Sequence, residues 1–474
     1  MRRMKGAAGL LTALLLAFQL SAQTFALANE DNGIKVVPVN FTHNGYSYEI
    51  EGVAKSTDGD YQMKSPARLA ARKLPSTYDP RSSGEITTVK DQASTGACWA
   101  FSALACAEQD LIKKGLENPS TEFSVPALVL SSNSGTATGK DDFSSGGNWL
   151  FAASALANGQ GLCYEDYEPF LESGTGNMIV SENKKSVSEY RLNYVMELSS
   201  TTQVKRKIME LGAVSASYFA GNGYMNHNNT AYYDPDASKN TIINHSVTVV
   251  GWDDNYSKDN FRYKPANNGA WLVKGSWGAD QDNDGFYWVS YDEAEFGQFC
   301  CYDFEESCDN TYHYSKMTGY VVNASNDGSV YGANVFTAKA DEKLDKAGFM
   351  YVGKTGSADY TLSVYTNVSD SDPIGVLETQ ISDSVSANGF YTVDFPEDIL
   401  LEEGEKYSIS VKFSGDSGRG YLLAESDRTS KAQSGQSYVS LNGKYWSDVG
   451  ADKTDSIGSL FTVSYTHLTL PTTS

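Results

Sequence analysis

Lys90-Asp91-Gln92-Ala93-Ser94-Thr95-Gly96-Ala97-Cys98-Trp99-Ala100-Phe101-Ser102 is a polar, turn-forming run that passes into an apolar one, with a cysteine at the junction. Ser94 or Thr95 can cap the start of a helix here, and Lys113-Lys114-Gly115 supplies the basic last turn and glycine stop of its end. Between them Trp99, Phe101, Ala103, Leu104, Leu111 and Ile112 occupy most faces, so the helix is predicted to be buried nearly all round. A thiol in its first turn sits beside backbone N–H groups that lack helical partners and at the positive end of the helix dipole, both of which favour thiolate. Taken alone, Cys98 reads more simply as a small buried hydrophobe.

It does not stand alone. Gln92 lies six residues upstream, where its amide can reach back toward the thiol and, with the Cys98 backbone N–H, donate to a developing oxyanion. Downstream, Asn244-His245-Ser246-Val247-Thr248-Val249-Val250-Gly251-Trp252 places a histidine at the head of a β-branched run, which reads as a strand and holds the imidazole on a rigid element. Then follow Trp271-Leu272-Val273-Lys274-Gly275-Ser276-Trp277-Gly278 and Asp284-Gly285-Phe286-Tyr287-Trp288-Val289. In these four segments, in this order, the chain resembles the papain family of cysteine peptidases from roughly Leu74 to Tyr302. His245 follows Cys98 by 147 residues (245 − 98), within the roughly 130–150 that separate the two in papain-like enzymes.

The resemblance implies an α+β domain of two lobes, a helical one and a β-rich one, with Cys98 on one wall of the groove between them and His245 on the other. It implies that Gly146 and Gly147 lie beside a bound peptide backbone, where a missing Cβ permits close approach; a tight turn before a helix explains them equally well. The implied reaction is peptide hydrolysis through a Cys98 thioester, with His245 as general acid and base and Gln92 at the oxyanion. Trp277 would shield the imidazole. The chain departs from the family at Gly275, where relatives carry the asparagine that orients the histidine. A weakened enzyme is therefore expected, and the rival reading is an inactive binding or adhesion protein that keeps the fold. A cell-wall amidase with a Cys–His pair shares the chemistry but not the context around Cys98 and Trp277. A cysteine usual three residues before the nucleophile, and its partner before the Gly-Gly pair, are here Thr95 and Ser144, so that bridge is absent as a unit.

The 474 residues suffice for two or three domains, and 40% apolar, 12% aromatic and 20% charged content describes globular material. A net charge of −22 excludes nucleic acid as an expected partner. Residues 1–28 have the pattern of a signal peptide: Arg2, Arg3 and Lys5, an apolar run from Leu10 to Phe18, and Ala26-Leu27-Ala28 before the cut. The run is too short to span a bilayer and no later segment can, so the chain is expected to be secreted, with surface attachment possible. Of six cysteines, Cys98, Cys106, Cys163, Cys300, Cys301 and Cys308, the five besides the nucleophile are odd in number, which leaves at least one free thiol.

Residues 29–73 read as a short pro-segment or extension with two strands, at Val36–Val39 and Tyr46–Ile50, and a basic stretch Ser65–Lys73 that is either a processing site or a solvated linker. The peptidase-like domain is set at 74–309. Phe123–Leu130 and the run after Asn148 read as helices, Tyr190–Leu198 as a strand, Thr202–Leu211 as a helix stopped by Gly212, and Val214–Tyr218 and Ala270–Lys274 as strands. Asp280–Gly285 imitates a calcium loop, but Tyr291 stands where such a loop needs glutamate, so neither metal nor cofactor is expected. His227, in Asn226-His227-Asn228-Asn229, is expected on a surface turn.

Residues 310–462 turn to Tyr, Val, Ser and Asp in short alternating runs, which predicts an antiparallel β-sandwich or jelly roll. This part is similar to the lectin-like module that follows the peptidase domain in some bacterial papain relatives, which makes a carbohydrate or a protein its expected ligand. Residues 463–474 resemble translated adaptor sequence and are expected to be a non-native tail outside the fold.

Overall fold

The computed structural model describes residues 73–132, 143, 146–159, 162–167, 169–170, 189–221, 223–237, 243–279, 282–315, 320–324, 328–426, 432–451 and 457–469, with the backbone of 34–38, 42–43 and 46–47. The signal-peptide pattern, most of the proposed pro-segment, Ser144 and the first two positions of the calcium-like loop lie outside them.

The helical lobe is built around α1 (Cys98–Lys113), in which every residue from Trp99 to Leu111 is buried. Neither Ser94 nor Thr95 caps it. Ala97 holds that place, no side chain bonds the first-turn N–H groups, and Thr95 instead donates its hydroxyl to the Gln92 carbonyl. The far end is as expected, with Lys113 and Lys114 followed by Gly115 at φ +73°. Helices α2 (Val125–Ser131) and α3 (Trp149–Ala157) pack beside α1, capped by Ser124 and Asn148.

The β-rich lobe follows the predicted boundaries closely in β1 (Tyr190–Leu198), α4 (Thr201–Leu211) closed by Gly212 at φ +84°, β2 (Val214–Tyr218), β3 (His245–Asp253) and β4 (Ala270–Lys274), and adds the strands β5 (Phe286–Ser290) and β6 (Gly297–Glu306). Valine, tyrosine, tryptophan and phenylalanine recur in these strands, which suits a buried pleated surface. Val204, Ile208 and Leu211 of α4 and Val247, Val249 and Val273 of the sheet share one apolar core under the lobe. The lobes are joined where Ser102 of α1 donates its hydroxyl to the Val247 carbonyl of β3 (2.7 Å).

The C-terminal part adds β7 (Glu342–Tyr351), β8 (Gly389–Leu401) and β9 (Thr462–Leu468). These do not form a separate body. One sheet runs Asn310–Tyr312, β9, β7, β8, β1, β6, β2, β3, β4, β5 and Ala231–Tyr232, crossing from one part to the other where Phe390 of β8 pairs with Val195 of β1. A six-stranded antiparallel sheet from Val376–Val385 to Ser447–Asp448 covers its C-terminal section, giving the predicted sandwich. A smaller sheet pairs Ile34–Pro38, the first of the two N-terminal strands, with Tyr320–Ala324. Among the described residues no helix is long and apolar enough to cross a membrane.

The expected tail is built into the fold through Leu468. Strand β9 is hydrogen-bonded to neighbours on both sides, and Thr462 to Thr466 are all buried, Val463 and Tyr465 at 0% exposure. The Tyr465 hydroxyl donates to the Ala157 carbonyl at the end of α3 (3.0 Å), and the Arg191 guanidinium lies 4.2 Å over its ring. Cutting the chain after Phe461 exposes two strand edges and removes two buried anchors of about 1.5–3 kcal/mol each. The expected result is a melting temperature lower by ten degrees or more, read by differential scanning calorimetry; an unchanged melt would show that β9 contributes nothing.

Candidate active site

Cys98 opens α1 and His245 opens β3, so the nucleophile and the imidazole come from the two lobes as expected. His245 is placed by register: it pairs with Tyr218 across β2, and Asn244 before it donates its N–H to the Tyr218 carbonyl (3.2 Å). Its ring lies flat on Trp277, 4.4 Å between centroids and 7° between planes, with Trp277 39% exposed to solvent on the outer side. The shield predicted for Trp277 is therefore in contact.

Gln92 is gripped by the residue next to that tryptophan. Its N–H donates to the Ser276 carbonyl (2.8 Å), its Oε1 accepts from the Ser276 hydroxyl (2.6 Å), and its Nε2 donates to the Thr95 carbonyl (2.8 Å). These bonds set the amide in one rotamer beside the start of α1, with a second Nε2 hydrogen to spare. Ser276 has no chemical signature of its own in the sequence, and only its contacts give it this role.

The consequence of Gly275 is direct. His245 Nε2 is buried and has no hydrogen-bond partner among the described residues. This is the atom that an orienting carboxamide would serve. The place of that side chain is tight: a Cβ on Gly275 would stand 3.1 Å from the Gly285 carbonyl and 3.4 Å from Tyr287 Cε1, so the carbonyl would have to give by a few tenths of an ångström. Tyr287 is 3% exposed and shares a 2.8 Å hydroxyl contact with Tyr218, whose ring meets the His245 ring edge-on at 5.9 Å. Two aromatic rings, Trp277 and Tyr218, contact the imidazole, and Tyr287 backs both of them.

The electrostatics differ from the thiolate expectation. Burial is the largest effect on both groups: it pushes the Cys98 thiol up, against the Ser246 backbone N–H and hydroxyl and the Trp99 N–H, which pull it down, and it lowers His245 to about 3. The dipole and free N–H groups of the helix are present but lose to desolvation, because the junction is more enclosed than its polar sequence suggests. Both shifts favour the thiol and the neutral imidazole over the ion pair. Alkylation of Cys98 by iodoacetamide is thus expected to accelerate continuously from pH 6 to pH 9, since only rising pH supplies thiolate. A plateau beginning below pH 7, followed by stopped reaction and mass spectrometry, would show a preformed ion pair.

Gly146, at φ +67°, and Gly147 lie against the start of α1. A Cβ on Gly96 would stand 3.1 Å from the Gly146 nitrogen, and one on Gly147 would enter the Trp99 indole at 2.6 Å. The two glycines thus lie beside the residues that flank the nucleophile. His227 is exposed in its turn. Asn283 and Asp284 of the calcium-like segment adopt left-handed φ values of 60° and 55°, and Asn283 bonds Arg81 and the Phe286 carbonyl. All six cysteines are unbonded.

Two family descriptions match the chain: papain family cysteine protease over residues 74–328 and lectin-like domain over 311–458. Mouse cathepsin K is 24% identical over 216 residues and bovine cathepsin S 29% identical over 218, each match covering 45% of this chain. The chain spans about three fifths of the length of these curated relatives, 59% and 60%. A solved structure of the clostridial cysteine protease Cwp84 after propeptide cleavage is similar with a TM-score of 0.73 and 27% identity, covering 83% of this chain and 99% of that one. The cysteine protease and lectin-like domains of Cwp84, a surface layer associated protein of Clostridium difficile, share the fold with a TM-score of 0.75 over 93% of this chain and all of the other, at 24% identity.

Proposed function

The chain belongs to the papain family of cysteine proteases, and we propose that it is a secreted cysteine endopeptidase whose lectin-like part binds a carbohydrate or protein at the cell surface. What supports the catalytic reading is that Cys98 opens α1 of one lobe and His245 opens β3 of the other, with Ser246 against the Cys98 thiol and Gln92 held beside the helix start by Ser276. His245, neutral at rest, takes the thiol proton as sulfur attacks the peptide carbonyl. The Cys98 N–H and the Gln92 amide donate to the oxyanion. His245 then protonates the leaving amine, and water, deprotonated by the same imidazole, hydrolyses the thioester. Location outside the cell rests on the N-terminal pattern of residues 1–28 and on the surface association of the related clostridial protein.

The unpartnered Nε2 of His245 favours a second reading, a binding protein with a residual site. The test is hydrolysis of a mixed peptide library by the purified chain in reducing buffer, with and without prior alkylation. Cleavage lost on alkylation supports the peptidase. No cleavage from intact or N-terminally processed protein, together with retained binding to bacterial surfaces, supports the binding protein.

A further inference from the structure

The lectin-like part reaches the helix that follows Gly146 and Gly147 through one half-buried carboxylate. Glu197, on β1, accepts through Oε1 from the Trp149 indole N–H (3.0 Å) and through Oε2 from the Asn388 side-chain amide (2.9 Å). Trp149 is the first residue of α3, two positions after Gly147. Asn388 lies immediately before β8 in the lectin-like part and is 3% exposed. Its side-chain oxygen accepts from the Gly353 N–H (2.9 Å) and its carbonyl from the Glu197 N–H (2.9 Å), so its rotamer is held from both sides. A Cβ on the next residue, Gly389, would stand 2.0 Å from the Val195 carbonyl, an approach that only glycine permits. Ala387 and Tyr391 pack against the core of the β-rich lobe. The turn is thus built into the lobe, and its amide shares one acceptor group with the residue that follows the groove glycines.

We propose that Asn388 and Glu197 are positioning residues that hold Trp149 as a wall of the substrate groove, so that the lectin-like part takes part in selecting the peptide. This rests on the reading that Gly146 and Gly147 lie beside the bound peptide, and it extends that reading by two residues to Trp149. The physical case is geometric. An indole with a free N–H can turn about two side-chain bonds, and one that donates to a carboxylate cannot turn without breaking a charge-assisted bond. The carboxylate in turn keeps its orientation because its other oxygen is occupied. Loss of Asn388 therefore leaves Glu197 half-satisfied in a site where burial already pushes its carboxyl up, and the indole is released with it. A side-chain wall that moves by an ångström changes peptide fit without touching the thiol.

The test compares two reagents on Cys98 in the full chain: iodoacetamide, which needs no groove, and a library of peptidyl epoxides, which does. The ratio of their second-order rate constants is read for Trp149→Ala, Asn388→Ala, Glu197→Gln, Asn388→Asp and the reversed pair Glu197→Gln/Asn388→Asp. Each single variant is expected to lower the epoxide-to-iodoacetamide ratio by roughly tenfold, one charge-assisted bond's worth, and to alter which peptides are preferred. In the reversed pair the new glutamine amide donates to the new aspartate while its oxygen still accepts from Trp149, so the ratio is expected to recover to within about threefold of the parent. Recovery in the pair also answers for single variants that fold poorly. An Asn388→Ala ratio equal to the parent's, with only a lower melting temperature, overturns the relay. A Trp149→Ala ratio equal to the parent's overturns the groove reading beneath it.

Discussion

Cys98→Ala will abolish peptide hydrolysis, with a fall in kcat of about 10⁵–10⁶-fold, the scale on which serine hydrolases lose activity when their nucleophile is removed. The residue begins α1 at the point where the two lobes meet, and no other described side chain of comparable nucleophilicity is placed there. The other five cysteines do not compete. Burial pushes the thiols of Cys106, Cys300, Cys301 and Cys308 up, and Cys163 is buried and donates to the Tyr164 carbonyl. Alanine is a better helix former than cysteine and fits the first turn, so the melting temperature should stay within a few degrees. A variant that retained hydrolysis above one part in a thousand would remove Cys98 from the mechanism. One that lost activity together with its cooperative melt would show only that the site had collapsed.

Gly275→Asn, the change that restores the usual orienting side chain, is expected not to raise kcat by itself. A new Cβ would press on the Gly285 carbonyl, which already receives the Gly275 N–H at 3.1 Å, and the rest of the side chain would meet the Tyr287 ring. Overpacking of this kind costs about 1–3 kcal/mol. The double variant Gly275→Asn/Tyr287→Val makes room for the carboxamide to reach His245 Nε2, and kcat is expected to rise about tenfold or more, a modest share of what a triad's third member contributes. The double variant should also melt lower than the parent, because the buried Tyr218 hydroxyl loses its 2.8 Å partner. Steady-state kinetics and calorimetry on both variants decide the matter. A faster Gly275→Asn single variant with an unchanged melt would mean that the place of the side chain is open and not repacked around glycine.

Much of the peptidase part was legible because its signals are local. The strand at Ala270–Lys274 was read to the residue, since a five-residue apolar run between turn formers admits few alternatives. Helix α4 was read within one residue, since a capping serine, a 3.6-residue apolar period and Gly212 agree with one another. The cap of α1 was misread because Thr95 had a competing use, as a donor to the Gln92 carbonyl, that its position in the sequence does not disclose. That Thr462 to Leu468 would pair as a strand was not legible, because the partners that bury it lie far away in the chain.

By itself the sequence determined the candidate pair Cys98 and His245, the order of lobes that carries it, and the absence of the usual orienting residue. Residue type, spacing and periodicity are properties of the chain, and Cys98, Gln92, His245 and Gly275 could be read from them. Tertiary structure alone decided how those residues behave. Burial favours the neutral forms of the thiol and the imidazole, the Gly285 carbonyl and Tyr287 crowd the place of the missing carboxamide, Ser276 locks Gln92, and Asn388 meets Glu197 across 191 residues of chain. These are matters of distance between residues remote in sequence, and desolvation and hydrogen bonding depend on distance in space.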